Sequence, residues 1–316
     1  MIGEIILKIK QFFNKFYWFR YLAYRIHKRA MDKNPKREMD RCYALQMSGK
    51  NINWDNPVDL AEKTYWMELN IDTSLWTRCA DKYLVRDYVI QCGFENNLTK
   101  LYGRWDDAKQ IEWDKLPSQF VLKTNHSCGT VIVVKDKSKL NIKKTVKTLN
   151  QWLKIPYGYS GGQMHYVTIK PCIIAEELLI PSDKEKTLSP HSLIDYKFWC
   201  FGGHVESVWV AYDRTHENGV NMKLYDLEWN ELKDVLISSD YYTYQSTQIP
   251  KPKCLKEMIE MAGKLSLPFP EVRVDLYVIN DKPFFGELTF SSGLGFFTQE
   301  YYNHLGDLTD ITPYKK

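Results

Sequence analysis

Nothing in the 316 residues pairs two cysteines at the C-x-x-C spacing of a metal or redox site. The seven cysteines (Cys42, Cys79, Cys92, Cys128, Cys172, Cys200 and Cys254) are scattered and odd in number. That argues against a disulfide framework and against a zinc centre, and favours a reducing compartment. No apolar run approaches the roughly 18 residues of a membrane-spanning helix. The first 30 residues mix charge throughout, without the clean apolar core and small-residue cleavage site of a signal peptide. The expected location is the cytosol. An excess of one charge is also missing: 43 Lys and Arg against 39 Asp and Glu leave a net +4. With no basic block interleaved with aromatics outside the N-terminus, the sequence does not support a nucleic-acid partner. There is no His/Cys metal spacing, no internal repeat and no low-complexity segment.

What is present is ordinary in bulk, 44% hydrophobic and 26% charged, in a length that suits one large domain or two modest ones. Aromatics are abundant, with ten Trp and 21 Tyr. Residues 1–35 carry a basic amphipathic helix in which Ile2, Ile5, Ile6, Ile9, Phe12, Phe13, Phe16 and Phe19 fall on one stripe, broken at Arg20. Such a helix either makes peripheral contact with the inner membrane through residues 1–30 or docks on its own domain or a partner. "NPKREMDR" reads as a polar linker, and residues 36–115 read as mainly helical, with "ADKYLVRDYVIQCG" a helix stopped at Gly93. From Phe120 the character changes. "FVLK" and "TVIVV" are short strands around the loop "TNHSCG", "NIKKTVKTLNQWL" is a helix capped by Asn141, and "CIIA" is a buried strand. "DYKFWCFGGHVESVWVAYDR" is two strands turned at Gly202-Gly203, and "PKCLKEMIEMAGKLSL" is a helix with Leu255, Met258, Ile259, Ala262 and Leu265 inward. The sum is an α+β fold: a small subdomain over 116–175 and a C-terminal one over 176–316, preceded by the helical region.

The stretch "VRVDLYVINDKPFFGELTF" reads as a hairpin whose two faces differ. Val272, Val274, Leu276 and Val278 alternate with Arg273, Asp275 and Tyr277, and a three-residue loop at 280–282 sets Asp275 opposite Glu287 and Arg273 opposite Thr289. In that register Phe285, Glu287 and Thr289 share the polar face. Directly opposed carboxylates lie about 4.5–5.5 Å apart at Cβ and destabilise each other unless a cation lies near. Arg273 supplies some positive charge, and a divalent metal would supply more. Removing either charge would relieve the pair. Elsewhere, Lys123 ends a strand just before Thr124, Ser127, Gly129 and Thr130, a loop able to hold phosphates with backbone N–H groups and a point charge, although a lysine at a strand end is more often a plain surface group.

In order along the chain, "DKYLVRDYV", "LPSQFVLKTNHSCGT", "IIAEELL", "DYKFWCFGG", "FPEVRVDLYV" and "FGELTFSSGLGF" resemble the TupA-like ATP-grasp family of surface-polysaccharide and teichuronopeptide biosynthesis, from about residue 57 to 306. The resemblance implies an ATP-grasp fold, in which two α+β subdomains clasp ATP. It implies that Lys82 and Lys123 contact ATP phosphates and that the loop from Thr124 through Ser127 to Gly129 closes over them. Glu176 would meet the adenine amino group, Leu179 would offer backbone groups to the ring, and Asp195 would take the ribose hydroxyls. Asp275 and Glu287 would hold Mg2+, with Thr289 where many such enzymes place a further Asn ligand. Arg273 would steady an acylphosphate and the oxyanion that follows. His126, His165, His191 and Arg214 are further candidate substrate contacts. A second departure is N-terminal: residues 36–115 lack the βαβ pattern of the usual preceding domain.

The implied activity is an ATP- and Mg-dependent carboxylate-amine ligase joining an amino acid or amine to a sugar acid of a polysaccharide precursor. A glycosyltransferase or a sugar kinase of such a pathway is the alternative, as is a non-catalytic binding protein. The DxD-like pair of a glycosyltransferase is not matched by "DLYVIND".

Overall fold

The computed structural model describes residues 17–47, 49–215, 219–239, 241–291 and 295–315. The apolar stripe at Ile2 to Phe16 lies outside them. The chain forms two compact units: the first takes residues 1–42, 81–83 and 100–178, the second 43–80, 84–99 and 179–316. The helical region expected at 36–115 is therefore not a unit of its own. Its helices between residues 60 and 91, apart from the turn at 81–83, join the second unit, and residues 36–42 and 100–115 join the first.

In the first unit, strands β1 (Leu101–Trp105), β2 (Phe120–Thr124), β3 (Val131–Val134) and β4 (Ile173–Glu176) form an antiparallel sheet in the order β1-β4-β2-β3. Alternation sends Phe120 and Leu122 to one face, where the helix Ile142–Trp152 packs with Leu149 in a core shared by Ile173, Ala175 and Val134. That helix begins as expected, since the Asn141 side chain accepts from Lys144 N–H at 2.9 Å. Two readings need correction. "NPKREMDR" is no linker but the start of the helix Pro35–Gln46, because Asn34 accepts from Arg37 N–H at 3.0 Å and Pro35 occupies the first helical position, where a missing N–H costs nothing. β1 was hidden in a polar stretch, since Gly103 and Arg104 break the strand pattern and the sheet supplies the partner.

In the second unit, β5 (Asp195–Phe201), β6 (His204–Thr215), β7 (Gly219–Tyr225), β8 (Tyr242–Tyr244), β9 (Val272–Ile279) and β10 (Lys282–Thr289) form a sheet in the order β10-β9-β5-β6-β7-β8. Only β7 and β8 run parallel. The β5–β6 turn at Gly202-Gly203 has φ +56° and +95°, a backbone that favours glycine. The helix Leu255–Ser266 covers one face of the sheet with Leu255, Met258, Met261, Ala262 and Leu265 buried; Met261, rather than Ile259, is the inward residue.

"ADKYLVRDYVIQCG" is not one helix. The helix Ser74–Ala80 ends, residues 81–84 turn, and the helix Val85–Gln91 follows. Asp81 makes the break, accepting from Tyr83 N–H at 2.8 Å and so pulling the backbone into a local turn.

Candidate functional site

The first unit carries a cationic group on the sheet face opposite its helix. Val121 and Lys123 point away from the helix, opposite Glu176 and Ile174 on β4 and the exposed Val133 and Val131 on β3. Lys123 Nζ lies 2.5 Å from Glu176 Oε2, and Glu176 is buried. An apolar strand face with a single ion pair at its edge suits a flat ring with a polar rim.

Beside it, the turn at residues 81–84 is tied to the β2–β3 loop. Lys82 N–H donates to Asn125 O at 3.1 Å, and its Nζ donates to Ser127 O at 3.0 Å. Asn125 in turn donates to Asp81 Oδ2 at 2.8 Å and accepts from Cys172 N–H at 2.7 Å. The base of the loop is therefore locked. Thr124 and Thr130 share a hydroxyl hydrogen bond of 2.6 Å and are fully buried, so Thr124 holds the loop shut at its root and does not present its hydroxyl outward. Cys128 and Gly129 are exposed at the tip, where Gly129 has φ +70°. His126 packs inward with Nε2 3.3 Å from Ile155 O; burial, with Lys82's charge adding to it, lowers its pKa to about 4. His126 is thus neutral near pH 7.

The second unit carries the carboxylates. The hairpin turn is Asn280-Asp281, with φ +54° and +61°, and Lys282 pairs with Ile279; the expected three-residue loop is two residues long. Left alone, that turn would misalign Asp275 and Glu287. A bulge between Phe285 and Glu287 shifts the register by one residue, so Glu287 does face Asp275 and Thr289 faces Arg273. Phe285 consequently pairs with Leu276 on the apolar face and is buried, the reverse of its expected side. Gly286 makes the bulge feasible: a Cβ there would stand 2.9 Å from Asp275 O.

Strand pairing extends this row across the sheet. Trp209 on β6 opposes Lys197 on β5, Lys197 opposes Asp275 on β9, and Asp275 opposes Glu287 on β10. Asp275 is 2% exposed and Arg273 8%. Arg273 grips Asp275 with Nε 2.7 Å from Oδ1 and Nη2 2.8 Å from Oδ2, and Lys197 Nζ donates to the same Oδ2. Burial pushes the Asp275 carboxyl up, but Arg273 and Lys197 together outweigh it and hold it below the ordinary range. Asp195 lies 3.6 Å from Lys197 Nζ and 3.5 Å from Arg214 Nη2. Asp195 also raises the Tyr277 phenol well above its usual value, chiefly by its charge. Lys197 escaped the sequence reading; its signal was a lysine alternating with apolar residues inside "DYKFW", where a solvated lysine has no place.

Other expected residues make contacts of their own. His165 packs on the Tyr166 ring at 4.3 Å, and His191 pairs with Asp213 at 2.7 Å on the surface. Leu179 is half-buried just past β4 and begins the last stretch of the second unit.

Asp275 and Glu287 fit a hard cation. A carboxylate oxygen can accept more than one partner, as Asp275 Oδ2 does, and the Glu287 side chain keeps 40% of its surface exposed. Thr289 Oγ1 lies 3.3 Å from Glu287 Oε1 and completes an all-oxygen set of the kind Mg2+ prefers. Among the described residues no three His, Cys, Asp or Glu side chains form a metal-binding group.

An α+β chain with an ion-paired lysine beside a tied glycine loop, and a hairpin of facing carboxylates, has the parts of a nucleotide-binding protein. The chain belongs to the TupA-like ATP-grasp family, whose model matches residues 62–310. Among solved structures it is similar to a D-alanine–D-alanine ligase from Bacillus anthracis complexed with ATP, at 12% identity and TM-score 0.45, over 73% of this chain and 65% of that one. An L-amino acid ligase from Bacillus licheniformis matches at 16% identity and TM-score 0.44, over 73% and 48%. The ATP-grasp ligase PsnB complexed with a minimal precursor matches at 10% identity and TM-score 0.39, over 77% and 66%. The chain thus spans just under two thirds of the first of these proteins and about half of the second. No curated protein matches it in sequence.

Proposed function

We propose that the protein is an ADP-forming carboxylate-amine ligase that works through an acylphosphate. The observation that carries this reading is the facing pair Asp275 and Glu287 with Arg273 locked onto Asp275. Membership of the ATP-grasp family supports it.

In this reading Lys82 and Lys123 of the first unit bind the phosphates of ATP, and Glu176 and Leu179 take the adenine edge. Asp195 binds the ribose hydroxyls. Asp275 and Glu287, with Thr289, hold Mg2+. When bound, Mg2+ neutralises charge on the phosphate oxygens as the phosphoryl group transfers. A substrate carboxylate oxygen attacks the γ-phosphorus and the bond to the β–γ bridging oxygen breaks, releasing ADP. An amine then attacks the acyl carbon, phosphate leaves and the amine proton is lost, so one amide forms per ATP cleaved. Arg273 and Lys197 supply fixed positive charge to the phosphoryl group and the oxyanion, at no reorganisation cost because Asp275 already holds them in place. The acceptor we propose is a sugar acid or amino acid of a surface-polysaccharide precursor, on the strength of the family.

The test is ADP, AMP and phosphate release with Mg2+ and panels of sugar acids and amines. ADP and phosphate that appear only when acid and amine are both present support the ligase. ADP formed with a sugar alone, without phosphate, would make the protein a kinase.

A further inference from the structure

We propose that the helix Tyr17–Lys33 docks in the plane of a membrane surface rich in anionic phospholipid, through the face made by Trp18, Tyr21, Leu22, Arg25, Ile26 and Arg29. These positions follow the i, i+3, i+4, i+7, i+8, i+11 spacing of one helix face, and all six are exposed. Trp18 is 60% exposed, Leu22 49% and Ile26 59%. A helix on a globular surface turns its apolar stripe inward and its polar stripe to water. Here Trp18, Leu22 and Ile26 stand on the outer face as well. The opposite face is held by polar contacts: His27 Nδ1 lies 2.8 Å from Glu38 Oε1, and Arg41 Nη2 donates to the same oxygen at 2.8 Å. The Tyr24 ring sits 5.7 Å from that of Tyr159, and Met31 is buried. The inward contacts fix the rotation of the helix, so the apolar residues point outward by construction.

The occupant follows from charge and side-chain type. The helix carries Arg20, Arg25, Lys28, Arg29 and Lys33 against the single acid Asp32, a net +4 on 17 residues. Two such faces repel each other, which disfavours a second copy of this chain. Arg25 and Arg29 stand on the apolar face itself, where phosphate headgroups would meet them, while Trp18 and Tyr21 have the amphipathic rings that settle at headgroup depth. No described helix is long and apolar enough to cross a membrane, so the helix would lie along the surface, about 25 Å of it.

The experiment is co-sedimentation of the full chain with vesicles of phosphatidylcholine, with and without phosphatidylglycerol, over a salt series. Binding is expected to need the anionic lipid and to weaken as salt rises. Arg25→Gln with Arg29→Gln is expected to weaken partitioning roughly thirtyfold at low salt, and Leu22→Ser with Ile26→Ser by at least about tenfold. Both pairs are exposed, so the melting temperature should hold. Equal binding to neutral vesicles, unchanged binding in both double variants, or self-association that the Leu22 and Ile26 changes abolish would each overturn the proposal. None of these readouts depends on the ligase reading.

Discussion

Arg273 and Asp275 stand two residues apart on one strand, so their side chains share a face, and they meet in a two-pronged ion pair of 2.7 and 2.8 Å in the protein interior. Lys197 completes the cluster from the next strand. Sequence alone suggests that removing a carboxylate here relieves like-charge repulsion. The structure reverses the sign. Asp275→Asn takes from two buried cations the carboxylate they bind most closely, leaving Lys197 with Asp195 at 3.6 Å and Arg273 with Glu287 at 3.9 Å, and should destabilise the protein by about 3–5 kcal/mol. Urea denaturation at pH 7 measures it, and a change below about 0.5 kcal/mol would sink this account of the cluster.

Glu287 is the opposite case. Its side chain keeps 40% of its surface exposed, so Glu287→Gln should shift stability by less than about 1 kcal/mol. Mg2+-dependent ATP turnover should nevertheless fall steeply, and Thr289→Asn should preserve turnover or lower the Mg2+ it requires. Wild-type turnover in Glu287→Gln across a Mg2+ titration removes that residue from the metal set.

Lys123 and Glu176 make a coupled pair. Lys123→Met removes the ion-pair partner 2.5 Å from a buried carboxylate and should be destabilising, by roughly 3 kcal/mol. Adding Glu176→Gln should restore much of that stability. ATP binding, read by calorimetry, should stay lost in the double variant, because its lysine is still missing. Recovery of both properties together would show that Lys123 acts only on the fold.

Glu271, just before β9, is fully buried and neither of its carboxylate oxygens has a hydrogen-bond partner. Burial raises its pKa well above the ordinary value, against the pull of Arg273. The folded state therefore holds a proton that the unfolded state releases near pH 4.3, and stability from this group is full below that pH and declines as pH rises toward the folded value. Glu271→Gln, neutral throughout, should lack this decline. Melting temperature against pH for the two proteins tests it, and parallel curves would refute the assignment.

A further test concerns the bulge that aligns the metal carboxylates. Gly286→Ala forces a Cβ against the Asp275 carbonyl and should cost about 1–3 kcal/mol, with turnover falling more than in a neutral hairpin substitution. Unchanged stability and turnover would mean that the hairpin absorbs the added carbon without moving Asp275 or Glu287.

Local chemistry was readable from the chain because it depends on neighbours in sequence. Asn141 caps its helix, Gly202-Gly203 turns β5 into β6, and the alternation in β2 and β9 separates apolar from polar faces, each through interactions spanning a few residues. The facing of Asp275 and Glu287 was readable too, though from a loop length that was wrong by one residue and a bulge that restored the register. The helix at Pro35–Gln46 and strand β1 were misread because polar composition there masks contacts made far away in the chain. Only the tertiary structure could place Lys197 against Asp275, join Lys82 to Ser127, and turn Trp18, Leu22 and Ile26 outward. Pairing between strands 78 positions apart, like the rotation of a helix about its own axis, is decided by which buried charges and rings must meet, and no local periodicity encodes that choice.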